Sequence, residues 1–258
     1  MQPLNDLRLA VVIDADNIPY SNVKAMFEEI AKYGTPTFKR IYGDWTRPTV
    51  SGWKSVLLEN AITPVQQYSY TRGKNSTDSA LIIDAMDILY SGKVDGFCIV
   101  SSDSDFTRLA TRLREAGMKV IGIGEKKTPQ PFIIACDKFI YLEILTSEIS
   151  NTDPSPEPVK KGKSVTKKKL REDNSPLSQQ KKVKRLIANS ISDLADENGW
   201  AFLGDVGNLI LKKQPDFDPR NFGFTKLTPL IKSLDFEIDE RESGQINIKH
   251  IYIRSRKA

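Results

Sequence analysis

Two short apolar runs decide most of what this chain folds into. Leu9-Ala10-Val11-Val12-Ile13 and Phe97-Cys98-Ile99-Val100 contain no polar residue, and the second has turn-forming residues on both sides. Runs of this kind mark strands covered on both faces, as in the middle of a parallel sheet with helices on either side. Both end alike: Asp14-Ala15-Asp16-Asn17 follows the first, and Ser101-Ser102-Asp103-Ser104-Asp105-Phe106 follows the second. Ligands of open α/β sheets bind in the crevice beyond the carboxyl ends of the strands, so function is expected where these two Asp-x-Asp turns emerge.

The rest of the first half alternates in the same style. Helical spacing of Val23, Met26, Phe27 and Ile30 predicts a helix over 23–33 closed by Gly34, and a strand over 37–42 then leads into Gly43-Asp44-Trp45. A helix over 53–60 and a strand over 62–67 follow. Ser76 or Thr77 caps a long helix reaching about residue 90. Beyond the strand at Gly96 come a helix over 106–116, a strand over 119–123, a short helix opened by Pro129-Gln130-Pro131, and a strand over 138–142. This order predicts a doubly wound, Rossmann-like α/β sheet with helices on both faces.

From residue 150 the composition changes. Asp153-Pro-Ser-Pro-Glu-Pro158 and the lysine-rich run to Arg171 hold few apolar residues, which predicts a disordered basic linker over 150–175 between domains at 1–149 and 176–258. In the second domain Val183, Leu186, Ile187, Ile191 and Leu194 share one helix face. Further helices are expected over 203–213 and 221–234, then a hairpin around Ser243-Gly244. Three helices and a hairpin are the layout of a small winged helix-turn-helix domain.

Charge and rare residues narrow the chemistry. Residues 1–150 carry 17 Lys+Arg against 18 Asp+Glu, whereas 151–175 carry 7 against 4 and 176–258 carry 14 against 11. The net charge of +5 therefore lies in the middle and the C-terminal part, which points to a polyanionic partner there. The two cysteines, Cys98 and Cys136, read as buried thiols without metal-ligand spacing. One histidine, His250, excludes sites that need two imidazoles. With no signal peptide and no apolar run of membrane-spanning length, the expected location is cytoplasmic.

Candidate ligands converge from three elements: Asp14 and Asp16, Asp103 and Asp105, and Asp78 in the first turn of the long helix. At 100° per residue, Leu81, Ile82, Met86, Ile88 and Leu89 fall near the azimuth of Asp78, which predicts that Asp78 points inward and that Asp84 and Asp87 face water. Carboxylates gathered in one cleft repel unless a hard cation lies between them, and oxygen-only ligation favours Mg2+ or Mn2+. That combination suits phosphoryl transfer. Helix capping is the competing reading for Asp105 and for Asp78.

The segments Val-Val-Ile-Asp14-Ala-Asp16-Asn17, Lys74-Asn-Ser-Thr-Asp78-Ser-Ala-Leu-Ile-Ile-Asp-Ala-Met-Asp and Val-Ser-Ser-Asp103-Ser-Asp105-Phe106 resemble the motifs of the NYN domain, a member of the PIN-like ribonucleases, over about residues 5–146. The resemblance implies metal ligation by Asp14, Asp78 and Asp103, assistance from Asp105 and Asp16, an orienting role for Asn17, and single-stranded RNA as substrate. Residues 177–255 resemble the OST-HTH, or LOTUS, domain through Gly199-Trp200-Ala-Phe-Leu203, Asp218-Pro-Arg-Asn-Phe-Gly-Phe224 and Lys226-Leu-Thr-Pro-Leu-Ile231. That family is linked to RNA, including G-rich structures, and to protein partners.

Candidate RNA contacts are Tyr70, Arg72 and Lys74 in the loop entering the long helix, Ser102 beside the acids, and Arg220 and Lys226 in the second domain. For Arg220 a structural turn with Asp218 and Asn221 is the alternative. Trp200, Phe202, Phe222 and Phe224 are expected in the core. Three functions compete: a metal-dependent ribonuclease, a non-cleaving RNA-binding adaptor, and a haloacid-dehalogenase-type phosphatase with Asp14 as nucleophile. Asn17-Ile18 argues against the last of these.

Overall fold

The computed structural model describes residues 6–68, 76–149, 176–242 and 249–256. The linker expected over 150–175, the Tyr70–Lys74 loop and the Ser243-Gly244 turn lie outside them. The chain divides into two compact units, Met1–Asn151 and Thr152–Ala258.

The first unit is a six-stranded parallel sheet of β1 (Arg8–Asp14), β2 (Thr35–Gly43), β3 (Thr63–Gln66), β4 (Gly96–Val100), β5 (Lys119–Gly124) and β6 (Lys138–Tyr141). Their spatial order is β3-β2-β1-β4-β5-β6, so the winding reverses between β1 and β4. That reversal is the topological switch point where a crevice opens, and it falls between the two apolar runs. β1 alternates Leu9, Val11 and Ile13 toward one face and Ala10 and Val12 toward the other. On the first face lie α1 (Val23–Ile30), α2 (Lys54–Leu57) and α6 (Leu142–Ile149); on the second lie α3 (Ser76–Tyr90), α4 (Thr107–Glu115) and α5 (Gln130–Ala135). Full burial of both strands follows from this double cover. Cys98 and Cys136 are buried free thiols, and burial pushes the Cys136 thiol up to about 12.

Several expected elements are trimmed. The helix over 53–60 is a 3-10 stretch, Pro48–Trp53, continued by α2. Ala61 then takes φ 51° so that the Ile62 N–H reaches back to the Leu57 carbonyl at 2.9 Å, closing the turn early. Asp84 does not face water: it pairs with Arg40 and accepts the Tyr42 hydroxyl at 2.5 Å. Burial on α3 centres on Leu81, Ala85 and Ile88, rotated from Asp78, and this brings Asp84 round to β2.

The second unit holds α7 (Pro176–Leu194), β7 (Ala201–Phe202), α8 (Leu203–Lys213), α9 (Leu227–Ser233), β8 (Glu237–Glu242) and β9 (Lys249–Arg254), with an antiparallel sheet in the order β7-β9-β8. Its core joins Val183, Ile187 and Ile191 to Val206, Ile210, Leu230, Ile231 and Ile253. The helix expected over 221–234 is split: Pro219–Phe222 forms a 3-10 turn, Gly223 adopts φ 81°, and α9 starts only at Leu227. A left-handed residue ends a helix, and glycine takes that conformation at no steric cost. Phe222 and Phe224 pack on the core as expected. Trp200 and Phe202 do not: Arg241 and Arg254 lie 5.6 and 4.6 Å from the Trp200 ring, and Phe202 sits beside His250 and Tyr252. Strand alternation accounts for Phe202, because Ala201 takes the inward position. Among the described residues no helix is long and apolar enough to cross a membrane.

Candidate metal centre at the switch point

β1 and β4 run in register from Leu9↔Gly96 to Ile13↔Val100, so Asp14 and Ser101 leave the sheet side by side. Ser101 Oγ donates to Asp14 Oδ2 at 2.9 Å and accepts the Asp103 N–H at 3.1 Å. Asn17 Nδ2 donates to the same Asp14 oxygen at 2.5 Å, and the Asp16 N–H donates to Asp14 Oδ1 at 3.1 Å. Asp14 is 1% exposed. Burial raises its pKa against the pull of these donors, and the charge of Asp16 adds to the rise.

In front of Asp14 stand three further carboxylates. One oxygen from each of Asp78, Asp103 and Asp105 lies within 4.8 Å of the other two. Asp78 is held up to about 6, first by burial and then by the charges of Asp14, Asp103, Asp105 and Asp16. Asp14, which the resemblance implied as a ligand, is not in this close group, although its charge acts on Asp78; its Oδ2 accepts from Ser101 and Asn17 and its Oδ1 from the Asp16 N–H. The cap also falls differently. Asp103 Oδ1 accepts the Asp105 N–H at 2.9 Å at the start of the 3-10 turn Ser104–Phe106, and this leaves the Asp105 side chain exposed toward the cluster.

Oxygen donors without histidine or cysteine, gathered tightly enough to raise one member's pKa, fit a small hard dication such as Mg2+ or Mn2+. A pH dependence follows. The folded pKa of Asp78 lies above its unfolded value, so the metal-free native state binds more protons between pH 4 and 6. Its stability therefore falls as pH rises through that window. In EDTA the Tm should drop from pH 4.5 to 7, and saturating Mn2+ should remove part of that drop; equal slopes with and without metal would contradict a cation at Asp78.

Other expected contacts sort clearly. Ser102, expected as an RNA contact, is 7% exposed and its Oγ accepts the Glu125 N–H at 2.9 Å, so it ties β4 to the loop after β5. Arg220 lies against Asp218, with Nη2 to Oδ2 at 2.8 Å and Nε to Oδ1 at 3.0 Å, while Asn221 Nδ2 donates to the Asp216 carbonyl at 3.2 Å. These residues form the structural turn. Lys226 is exposed just before α9. Tyr70, Arg72 and Lys74 lie outside the described residues. Ser101 was missed by sequence reasoning, although its place directly after an apolar strand was its signal.

Residues 8–143 match the NYN domain, and residues 174–248 match the OST-HTH/LOTUS domain. Among solved structures, a protein of unknown function from Vibrio parahaemolyticus aligns with 54% of this chain and 94% of its own, at 21% identity and TM-score 0.43. An uncharacterized protein from Nitrosomonas europaea aligns with 42% of this chain and 91% of its own, at 28% identity and TM-score 0.27. No curated protein matches the chain.

Proposed function

We propose that this chain, which belongs to the NYN family, is a Mg2+- or Mn2+-dependent ribonuclease that hydrolyses phosphodiester bonds of single-stranded RNA. Members of that family are generally nucleases, and OST-HTH/LOTUS domains bind RNA. The observation that carries the reading is the group of Asp78, Asp103 and Asp105 at the switch point, with Asp78 pushed up to about 6 by burial and its neighbours. A bound divalent cation supplies Lewis-acid activation of water and neutralises charge that builds on the phosphoryl group. Asp78, Asp103 and Asp105 would hold it. Ser101 and Asn17 fix the Asp14 carboxylate behind them, and Asp14 in turn holds the Asp16 N–H and so the shape of the turn.

In this reading the C-terminal unit selects or tethers the RNA, with G-rich RNA and a protein partner as its candidate ligands. Lys226, exposed before α9, remains a phosphate contact. The deciding experiment is a metal titration with labelled single-stranded RNA on wild type and Asp103→Asn. Equal, metal-independent traces for the two would leave the non-cleaving adaptor as the better account. That adaptor keeps RNA binding in Asp14→Asn and loses it when residues 176–258 are deleted.

A further inference from the structure

Beside the carboxylates, on the β2 side, the chain forms a braced elbow that the motifs do not explain. Asp14 is paired with Tyr42, and the Ala15 N–H extends the ladder to the Tyr42 carbonyl at 3.0 Å. Gly43 then ends β2 against the residue between Asp14 and Asp16: a Cβ on it would stand 3.0 Å from the Ala15 Cβ. Asp44 is buried, and its Oδ1 accepts the Thr46 N–H at 3.2 Å, the Thr46 hydroxyl at 2.6 Å and Gln66 Nε2 at 3.1 Å. Gln66 Oε1 accepts the Trp45 N–H at 3.0 Å, and the Trp45 indole donates to the Val65 carbonyl at 3.0 Å. On this brace sits exposed Arg47, its Nε 3.4 Å from Asp44 Oδ2.

The other arm of the elbow is Tyr20, three residues beyond Asn17 and 49% exposed. Its ring lies flat enough on Gly52 that a Cβ there would meet Cε1 at 2.4 Å and Cδ1 at 2.7 Å. A bare glycine thus seats a half-exposed ring three residues beyond Asn17, and a buried carboxylate, two residues past the Tyr42 that pairs with Asp14, holds a cation. An acidic cluster repels a phosphodiester, so a bound strand needs flat side chains for its bases and cations for its phosphates close by.

We propose that Tyr20 and Arg47 grip single-stranded RNA on the β2 side of the carboxylates, the ring against a base and the guanidinium on a phosphate, with Asp44 as the residue that positions Arg47. This rests on the nuclease reading above. The test is steady-state cleavage of a labelled single-stranded RNA by the full-length chain in Mn2+, with the salt dependence of RNA binding in EDTA measured alongside. Tyr20→Ala should raise KM by about tenfold with kcat changed far less, the loss of one base stack. Tyr20→Phe should restore the wild-type value. Gly52→Ala, which displaces the ring without removing it, should raise KM in the same direction.

Arg47→Ala should lower the slope of log affinity against log salt by about one, the loss of one phosphate contact, and Asp44→Asn should raise KM by less than Arg47→Ala does. Unchanged KM in both alanine variants of an active enzyme overturns the grip and leaves the nuclease reading standing. Should wild type not cleave, the nuclease reading falls. The salt slope then decides alone: a drop in Arg47→Ala supports the grip and an unchanged slope overturns it.

Discussion

Asp103→Asn should reduce metal-dependent RNA cleavage by on the order of 10³-fold, equivalent to about 4 kcal/mol in the barrier. The substitution isolates charge from structure. Asp103 Oδ1 caps the turn at Ser104 by accepting the Asp105 N–H, and an asparagine oxygen caps a helix start about as well. Folding should therefore survive while one anionic member of the trio is lost. Asp78→Asn should lose activity to a similar extent with an opposite mark on stability. Near neutral pH the Asp78 carboxylate is ionised against burial and four neighbouring acids, so its neutral isostere should stabilise the metal-free protein. Discounted for its partial exposure, the gain is about 1 kcal/mol. A thermal scan in EDTA at pH 7.5 reads it as a raised Tm, and the same variant should show no further rise with Mn2+. A site that trades stability for binding behaves in this way.

Asp84→Ala should lower the stability of the first unit by about 2–3 kcal/mol, because two groups lose their partner at once. Tyr42 is fully buried, and its hydroxyl donates to Asp84 Oδ2; Arg40 reaches the other oxygen. Burial, then the hydrogen bond to Asp84, raise the Tyr42 pKa, so the phenol stays a donor throughout the working range. The ion pair is partly open, with side chains 32% and 22% exposed, and this keeps the loss below that of a sealed pair. For a unit of this size the loss corresponds to a Tm lower by about 5–10 °C. Tyr42→Phe should cost only about 1 kcal/mol, since Asp84 keeps Arg40. In the double variant the losses should not add, because removing the hydroxyl removes the group that Asp84→Ala would strand. Additive losses in urea or thermal unfolding would show that the three do not act as one network.

The elements that sequence reasoning placed well are those whose signal is local. An apolar run with no polar break reports burial on both faces, which is why β1 and β4 were legible as central strands. Trimmed elements failed for reasons outside the window: Ala61 and Gly223 close their turns through left-handed backbone that periodicity does not register. The split before α9 leaves Arg220 in a turn with Asp218, the alternative that the sequence also offered.

By itself the sequence determined that two buried strands release acids at one edge of a parallel sheet, with Asp78 delivered to the same place by the helix that follows β3. Burial runs and helix spacing are properties of neighbouring residues, so they survive without coordinates. Only the tertiary structure decided which acids stand together. The register of β1 on β4 places Ser101 against Asp14, the capping of Asp103 leaves Asp105 facing the cluster, and the rotation of α3 gives Asp84 to Arg40 and Tyr42. The first and third are contacts between residues far apart in the chain, fixed by strand pairing and packing that no single stretch encodes, whereas the Asp103 cap is local and only its direction, from Asp103 to the Asp105 N–H, had to be read from the structure.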